Sequence, residues 1–170
     1  MVVSNSLFDA SVLGPSSQWS IPDGYKLRPL ELGDFRKGFA TCLANLSVVG
    51  DISEDMFAES FGKMQRAGGY YTIVIEDLVS GTIAASGTLI VEQKFLHGCG
   101  LAGHIEDIVV AKGQERKRFG QTIVSRLFAI ATHTGCYKTI LDCNDSNVEF
   151  YEKCGMARKG VQMALYAPEQ

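Results

Sequence analysis

The chain has 170 residues, 46% hydrophobic and 21% charged, enough apolar material for one domain with a proper core. A net charge of −3 leaves no global basic field, which argues against a nucleic-acid partner and makes any anion site local. Five cysteines with no C-x-x-C pair argue against a complete disulfide framework and a cysteine-built zinc site; we expect no metal and a reducing, cytoplasmic setting, with an organelle left open. No apolar run approaches the ~20 residues that cross a bilayer, so no membrane association is expected.

Residues 1–24 are Ser-rich and carry Gly14, Pro15, Pro22 and Gly24, reading as an irregular N-terminal arm before a single domain over 25–170. Phe8, Val12, Leu13 and Trp19 equip the arm to dock on the body or on a second subunit. Lys26–Leu30 has strand character, and Pro29 suggests an edge or a strand end. Asp34 is read as the N-cap of a helix with Phe35, Phe39, Cys42, Leu43 and Leu46 at helical spacing. Ser53 opens a second helix, with Glu54 and Asp55 in its first turn and Phe57, Phe61 and Met64 on one face, ending at Gly68-Gly69.

Tyr70–Glu76, Ile83–Val91 and a third strand starting near His104 read as an antiparallel meander. The long helix Phe119–Thr134 bears a broad stripe of Ile123, Val124, Leu127, Phe128, Ile130 and Ala131, with Gly135 as its stop. A strand over Tyr137–Cys143, a short helix over Asn147–Cys154 and a last strand over Gln162–Tyr166 complete the order β-α-α-β-β-β-α-β-α-β. The expected class is α/β, with a mixed, mostly antiparallel sheet flanked by helices.

Chemistry concentrates in Gly103–Gly120, G-H-I-E-D-I-V-V-A-K-G-Q-E-R-K-R-F-G. A strand with embedded acids runs into a basic loop and then a helix N-terminus. Unpaired N–H groups and the helix dipole there favour a diphosphate, and Arg116, Lys117 and Arg118 add charge. Read alone, such a loop is also what a solvated basic turn looks like. Glu106 and Asp107, being adjacent, point to opposite faces of a regular strand and cannot act as a pair unless the strand bulges.

The V-V strand, the x-x-x-G loop and the long helix together resemble the GNAT superfamily of acetyl-CoA-dependent N-acetyltransferases. Its loop pattern maps onto Glu115, Arg116, Lys117, Arg118, Phe119 and Gly120, departing at Glu115 (usually Arg or Gln) and Arg118 (usually Gly). Longer strings are similar to its glucosamine-6-phosphate N-acetyltransferase subgroup: Gly87–His97, Gly103–Val110, Gly135–Lys138, Leu141–Cys143 and Asn147–Gly155. The similarity runs from about Leu27 to about Met163.

The resemblance implies a GNAT-type fold, acetyl-CoA as co-substrate, and transfer of its acetyl group to the 2-amine of D-glucosamine 6-phosphate. It implies backbone contacts to acetyl-CoA from Ile108, Val109 and Val110, a diphosphate site on Glu115–Gly120, and further cofactor contacts at Asn147 and Tyr151. Tyr151 would stabilise or protonate the departing thiolate. Asp142 would orient the sugar amine, reached from a neighbouring subunit in a homodimer with shared sites. Glu106, on the amine side, and Asp107 are carried over as substrate contacts. So are Ser47, Lys94, Phe95, Leu96, His97, Tyr137 and Lys138 around the sugar phosphate. The C-terminus departs from some relatives, with Tyr166 or a neighbour where an arginine is found. Another amine acceptor, or a non-catalytic acyl-CoA-binding module, are the competing readings.

Overall fold

A computed structural model describes residues 5–16 and 19–167. Strands β1 (Tyr25–Pro29), β2 (Tyr70–Asp77), β3 (Thr82–Gln93), β4 (Leu101–Val110) and β5 (Cys136–Ile140) form one sheet in the order 1-2-3-4-5. The first three pairings are antiparallel and β4–β5 is parallel. A parallel pair needs a crossover, which helix α4 (Phe119–His133) supplies. Helices α1 (Phe39–Leu43) and α2 (Glu54–Ala67) lie between β1 and β2, a single turn α3 (Leu96–Cys99) joins β3 to β4, and α5 (Val148–Lys153) follows β5.

β2 is buried from Thr72 to Glu76 because both faces of the sheet are covered, which is why its sequence does not alternate. On one face Ile73, Ile75, Leu89 and Ile105 meet Ile123, Leu127 and Ile130 of α4. On the other, Val74, Ile83 and Val109 meet Phe39 and Cys42 of α1 and Phe57 and Phe61 of α2. Ser53 caps α2 by accepting the Met56 N–H at 3.2 Å, and Gly68 leaves the helix at φ 69°, as the sequence predicts.

The arm takes the body of its own chain rather than leaving it. Leu7 N–H donates to Leu30 O, and Leu32 N–H to Asn5 O, both at 2.8 Å. Leu7 and Leu13 are buried. Arg126 of α4 donates to Leu13 O at 3.1 Å and its guanidinium lies 4.9 Å from the Trp19 ring.

Asp34 departs from its expected role. It is not the N-cap of α1 but sits fully buried in a 3-10 turn, Leu32–Phe35, where its carboxylate accepts the Glu31 N–H at 2.8 Å in a capping box and takes Arg28 Nη1 and Nη2 at 2.7 Å each. Glu76 accepts from Arg28 Nε at 2.9 Å and pairs with Lys37 at 2.7 Å. Burial works against the Arg28 charge, but Asp34 and Glu76 outweigh it and hold the guanidinium ionised. The first helix therefore begins only at Phe39, after Gly38 at φ 77°.

Two expectations near the C-terminus also change. β5 stops at Ile140, so Leu141, Asp142 and Cys143 lie in a loop and Ile140 and Asp142 share no strand face. Gln162–Tyr166 forms no strand: the segment is extended and exposed, with Val161 86%, Met163 90%, Leu165 99% and Tyr166 88% accessible. A strand needs a ladder partner, and the described residues offer this segment none.

Candidate active site

The site opens where β4 and β5 part. Their parallel pairing runs only to His104↔Ile140, while β4 continues to Val110. Beyond His104 the β5 side of β4 has no strand partner among the described residues, leaving an opening along Ile105–Val110. Two residues past the last pair stand Glu106 on one wall and Asp142 on the other.

β4 does bulge within this stretch. Ser86 pairs with Val109 and Thr88 with Glu106, so Asp107 and Ile108 together oppose Gly87, and Asp107 takes φ 54°. The expectation of opposite faces for Glu106 and Asp107 is thereby replaced. Gly87 is required at the bulge, since a Cβ there would lie 2.5 Å from both Ile108 Cδ1 and Ile123 Cγ2. Loss of water raises the Glu106 pKa, and the charges of Asp107 and then Asp142 raise it further, against a smaller opposing effect of His104. Three carboxyls thus act on one point of the cleft mouth, although Glu106 and Asp107 keep exposed surface.

α5 carries Tyr151 close to Cys143, the residue after Asp142. A Cβ on Gly120 would come 3.1 Å from Phe150 Cζ, so a larger residue there would make the Phe150 ring give by a few tenths of an ångström, and glycine lets α5 sit close to the first turn of α4. Tyr151 packs edge-on to Phe150 with ring centroids 4.9 Å apart. Burial pushes the Tyr151 phenol above its ordinary pKa, and the neighbouring thiols of Cys143 and Cys154 act in the same direction. At neutral pH it is a protonated donor.

The α4 N-terminus fits an anion. Its first turn holds no acidic residue, and no side chain caps its N–H groups. Arg116 (φ 65°) and Arg118 (φ 60°) both adopt left-handed backbone, where a non-glycine residue costs roughly 1–2 kcal/mol. Both side chains are exposed. Lys117 behaves differently from expectation: its Nζ turns inward, donating to Gln114 Oε1 at 2.6 Å and lying 5.3 Å from the Tyr25 ring centroid. Phe119 is 2% exposed, so its amide, not its ring, faces an anion. Hydrogen bonds from its own N–H and that of Gly113 hold the Glu115 carboxyl below the usual glutamate range. Ile108 and Val109 direct their side chains into the two packed faces and offer backbone alone, while Asn147 lies exposed just before α5.

The residues expected around the sugar phosphate are spread over the β3–β4 connection, β5 and the α1–α2 connection. His97 (φ 53°) and Gly98 (φ 64°) make a tight left-handed turn that sets the His97 ring 4.0 Å from that of Tyr137, with Lys138 Nζ 5.7 Å from the same ring. Phe95 and Leu96 on this turn project into solvent. Lys94 is held by Glu92 at 2.5 Å, and Glu92 also takes His104 Nε2 at 2.9 Å. Ser47 stands apart on the exposed α1–α2 connection. Glu92 and His104 carry no assigned role in the sequence reading; the i,i+2 spacing of Glu92 and Lys94 is a local sign of their pairing.

The acetyltransferase (GNAT) family pattern matches residues 31–156. The chain is 44% identical over 149 residues to glucosamine 6-phosphate N-acetyltransferase 1 of Dictyostelium discoideum, spanning 87% of this chain and 94% of the relative. It is 41% identical over 143 residues to the glucosamine 6-phosphate N-acetyltransferase of Candida albicans, spanning 84% and 96%. The crystal structure of glucosamine-6-phosphate N-acetyltransferase from Arabidopsis thaliana superposes with a TM-score of 0.82 at 44% identity, covering 84% of this chain and 97% of that one.

Proposed function

The chain belongs to the acetyltransferase (GNAT) family, and we propose that it transfers the acetyl group of acetyl-CoA to the 2-amine of D-glucosamine 6-phosphate. The products are N-acetyl-D-glucosamine 6-phosphate and CoA, a step toward UDP-N-acetylglucosamine. The observation that carries this reading is the meeting of Glu106 and Asp142 at the β4–β5 opening, with the Tyr151 phenol close to Cys143, the residue after Asp142, in a chain similar to enzymes of that name over most of its length.

Acetyl-CoA supplies the activated acetyl group. The backbone of Ile108–Val110 on the β5 side of β4 and the uncapped α4 N-terminus are the groups suited to hold it, with exposed Arg116 and Arg118 adding charge. Glu106, with its raised pKa, accepts a proton from the sugar ammonium and so frees the nucleophile. Asp142 across the opening orients the amine. The amine forms the new C–N bond to the thioester carbonyl; as the C–S bond breaks, the Tyr151 phenol gives its proton to the sulfur, and the second proton shed by the nitrogen as the amide forms restores the phenol. Lys94, His97, Tyr137 and Lys138 are suited to the sugar phosphate as charge-assisted donors.

The reading includes a homodimer. Four large apolar side chains on an extended tail, each more than four-fifths exposed, need a cover, and β5 pairs on one side only. A second copy meets both needs, and brings one protomer's tail against its partner's β5 and the adjoining Asp142 loop. Five free thiols support a reducing, intracellular setting.

A thiol-release assay with acetyl-CoA and a panel of amines tests the substrate. Glucosamine 6-phosphate is expected to release CoA well above unphosphorylated glucosamine, polyamines and lysine peptides. Release with another amine and none with the sugar phosphate would overturn the acceptor and leave the family standing.

A further inference from the structure

We propose that Gln114 is a positioning residue that clamps the β4–α4 loop in its anion-receiving shape and so sets the affinity for the CoA diphosphate. The proposal rests on the acetyl-CoA reading of the site. The loop needs a clamp because Arg116 and Arg118 both hold left-handed backbone without being glycine. Such conformations persist only where the surroundings over-determine them.

Gln114 provides that determination from both ends of its amide. Oε1 accepts from Tyr25 Oη at 2.9 Å and from Lys117 Nζ at 2.6 Å, while Nε2 donates to Asp77 Oδ2 at 3.3 Å. Its anchors are themselves fixed. Asp77 also accepts the Val79 N–H at 2.9 Å, and the Tyr25 ring meets Phe119, the first residue of α4, edge-on at 4.8 Å. The loop is thus tied to the start of β1, the end of β2 and the foot of α4.

The consequence falls on the residue between the two strained positions. Lys117 is drawn inward to Gln114 and over the Tyr25 and Phe119 rings, at 5.3 and 5.9 Å from their centroids. Its neighbours Arg116 and Arg118 are left pointing to solvent, where an incoming diphosphate meets them. One inward lysine orders two outward arginines.

The test compares wild type, Gln114→Ala and Tyr25→Phe. Amide hydrogen exchange of the protein alone reads the loop, and calorimetry with CoA reads affinity. For Gln114→Ala we expect exchange over residues 112–118 to speed by about tenfold and CoA to bind about tenfold more weakly. At saturating acetyl-CoA, kcat stays within about twofold, since the clamp acts on binding. Tyr25→Phe removes one of the three bonds and shows a smaller loss of the same kind, which carries the test should the alanine variant not fold. If wild type binds CoA and Gln114→Ala or Tyr25→Phe binds it equally well, the clamp is refuted. If wild type itself fails to bind CoA, the acetyl-CoA reading falls, and the proposal with it.

Discussion

Glu106 and Tyr151 are both shifted upward, and in the proposed reaction the shift serves opposite proton tasks. For Glu106 the leading cause is loss of water, followed by the charges of Asp107 and Asp142. An acid that must be ionised to work as a base sets the acid limb of kcat/KM, and a raised pKa moves that limb upward. Asp107→Asn removes one negative neighbour, lowers the Glu106 pKa and is expected to move the limb toward lower pH. A pH–rate profile unchanged by Asp107→Asn would separate the limb from Glu106. Tyr151 is raised chiefly by burial, which keeps the phenol protonated and available to the sulfur. Tyr151→Phe is expected to lower kcat by about 10²-fold or more while the acetyl-CoA KM changes little. Stopped-flow thiol release would read this directly, and wild-type kcat in the variant would remove Tyr151 from the reaction.

The β4 bulge decides where these residues meet, and it depends on Gly87 across the sheet. With two β4 residues against one glycine, Ile108 fills the space a side chain would take and packs beside Ile123 of α4. Gly87→Ala places a methyl 2.5 Å from both isoleucines, so the bulge or the helix must move. Overpacking of this kind costs about 1–3 kcal/mol, measurable by urea denaturation. Because β4 carries Glu106 and Asp107, we also expect activity to fall further than a stability loss of that size explains. At the other end of the domain, Asp34, Arg28 and Glu76 show the same dependence on distant partners. Their buried pairing turns an apparent helix start into a 3-10 turn and delays α1 to Phe39.

The tail after Gly160 has apolar residues at 161, 163 and 165, the period of a strand, yet it pairs with no strand among the described residues. Truncation after Gly160 is expected to give a monomer by analytical ultracentrifugation, with acetyl transfer reduced at least tenfold while the fold of residues 25–155 persists. A truncated chain that stays dimeric would move the interface elsewhere.

Much of the architecture was legible in residue order. The α4 stripe, the Ser53 cap, the glycine stops and the β2–β3–β4 meander are written in spacings of a few residues, where helix and strand periods and cap chemistry act. The family strings carried the site by resemblance, since neither Tyr151 nor Asp142 is distinctive in its own neighbourhood. What only the tertiary structure decided depends on residues far apart in the chain. The Arg28–Glu76 bond spans 48 positions and the Tyr25–Gln114 bond 89. The register slip that places Glu106 and Asp107 depends on Gly87 in the neighbouring strand, and the end of β5 at Ile140 frees Asp142. No local period encodes such meetings, because their energy exists only once the sheet has brought the partners together.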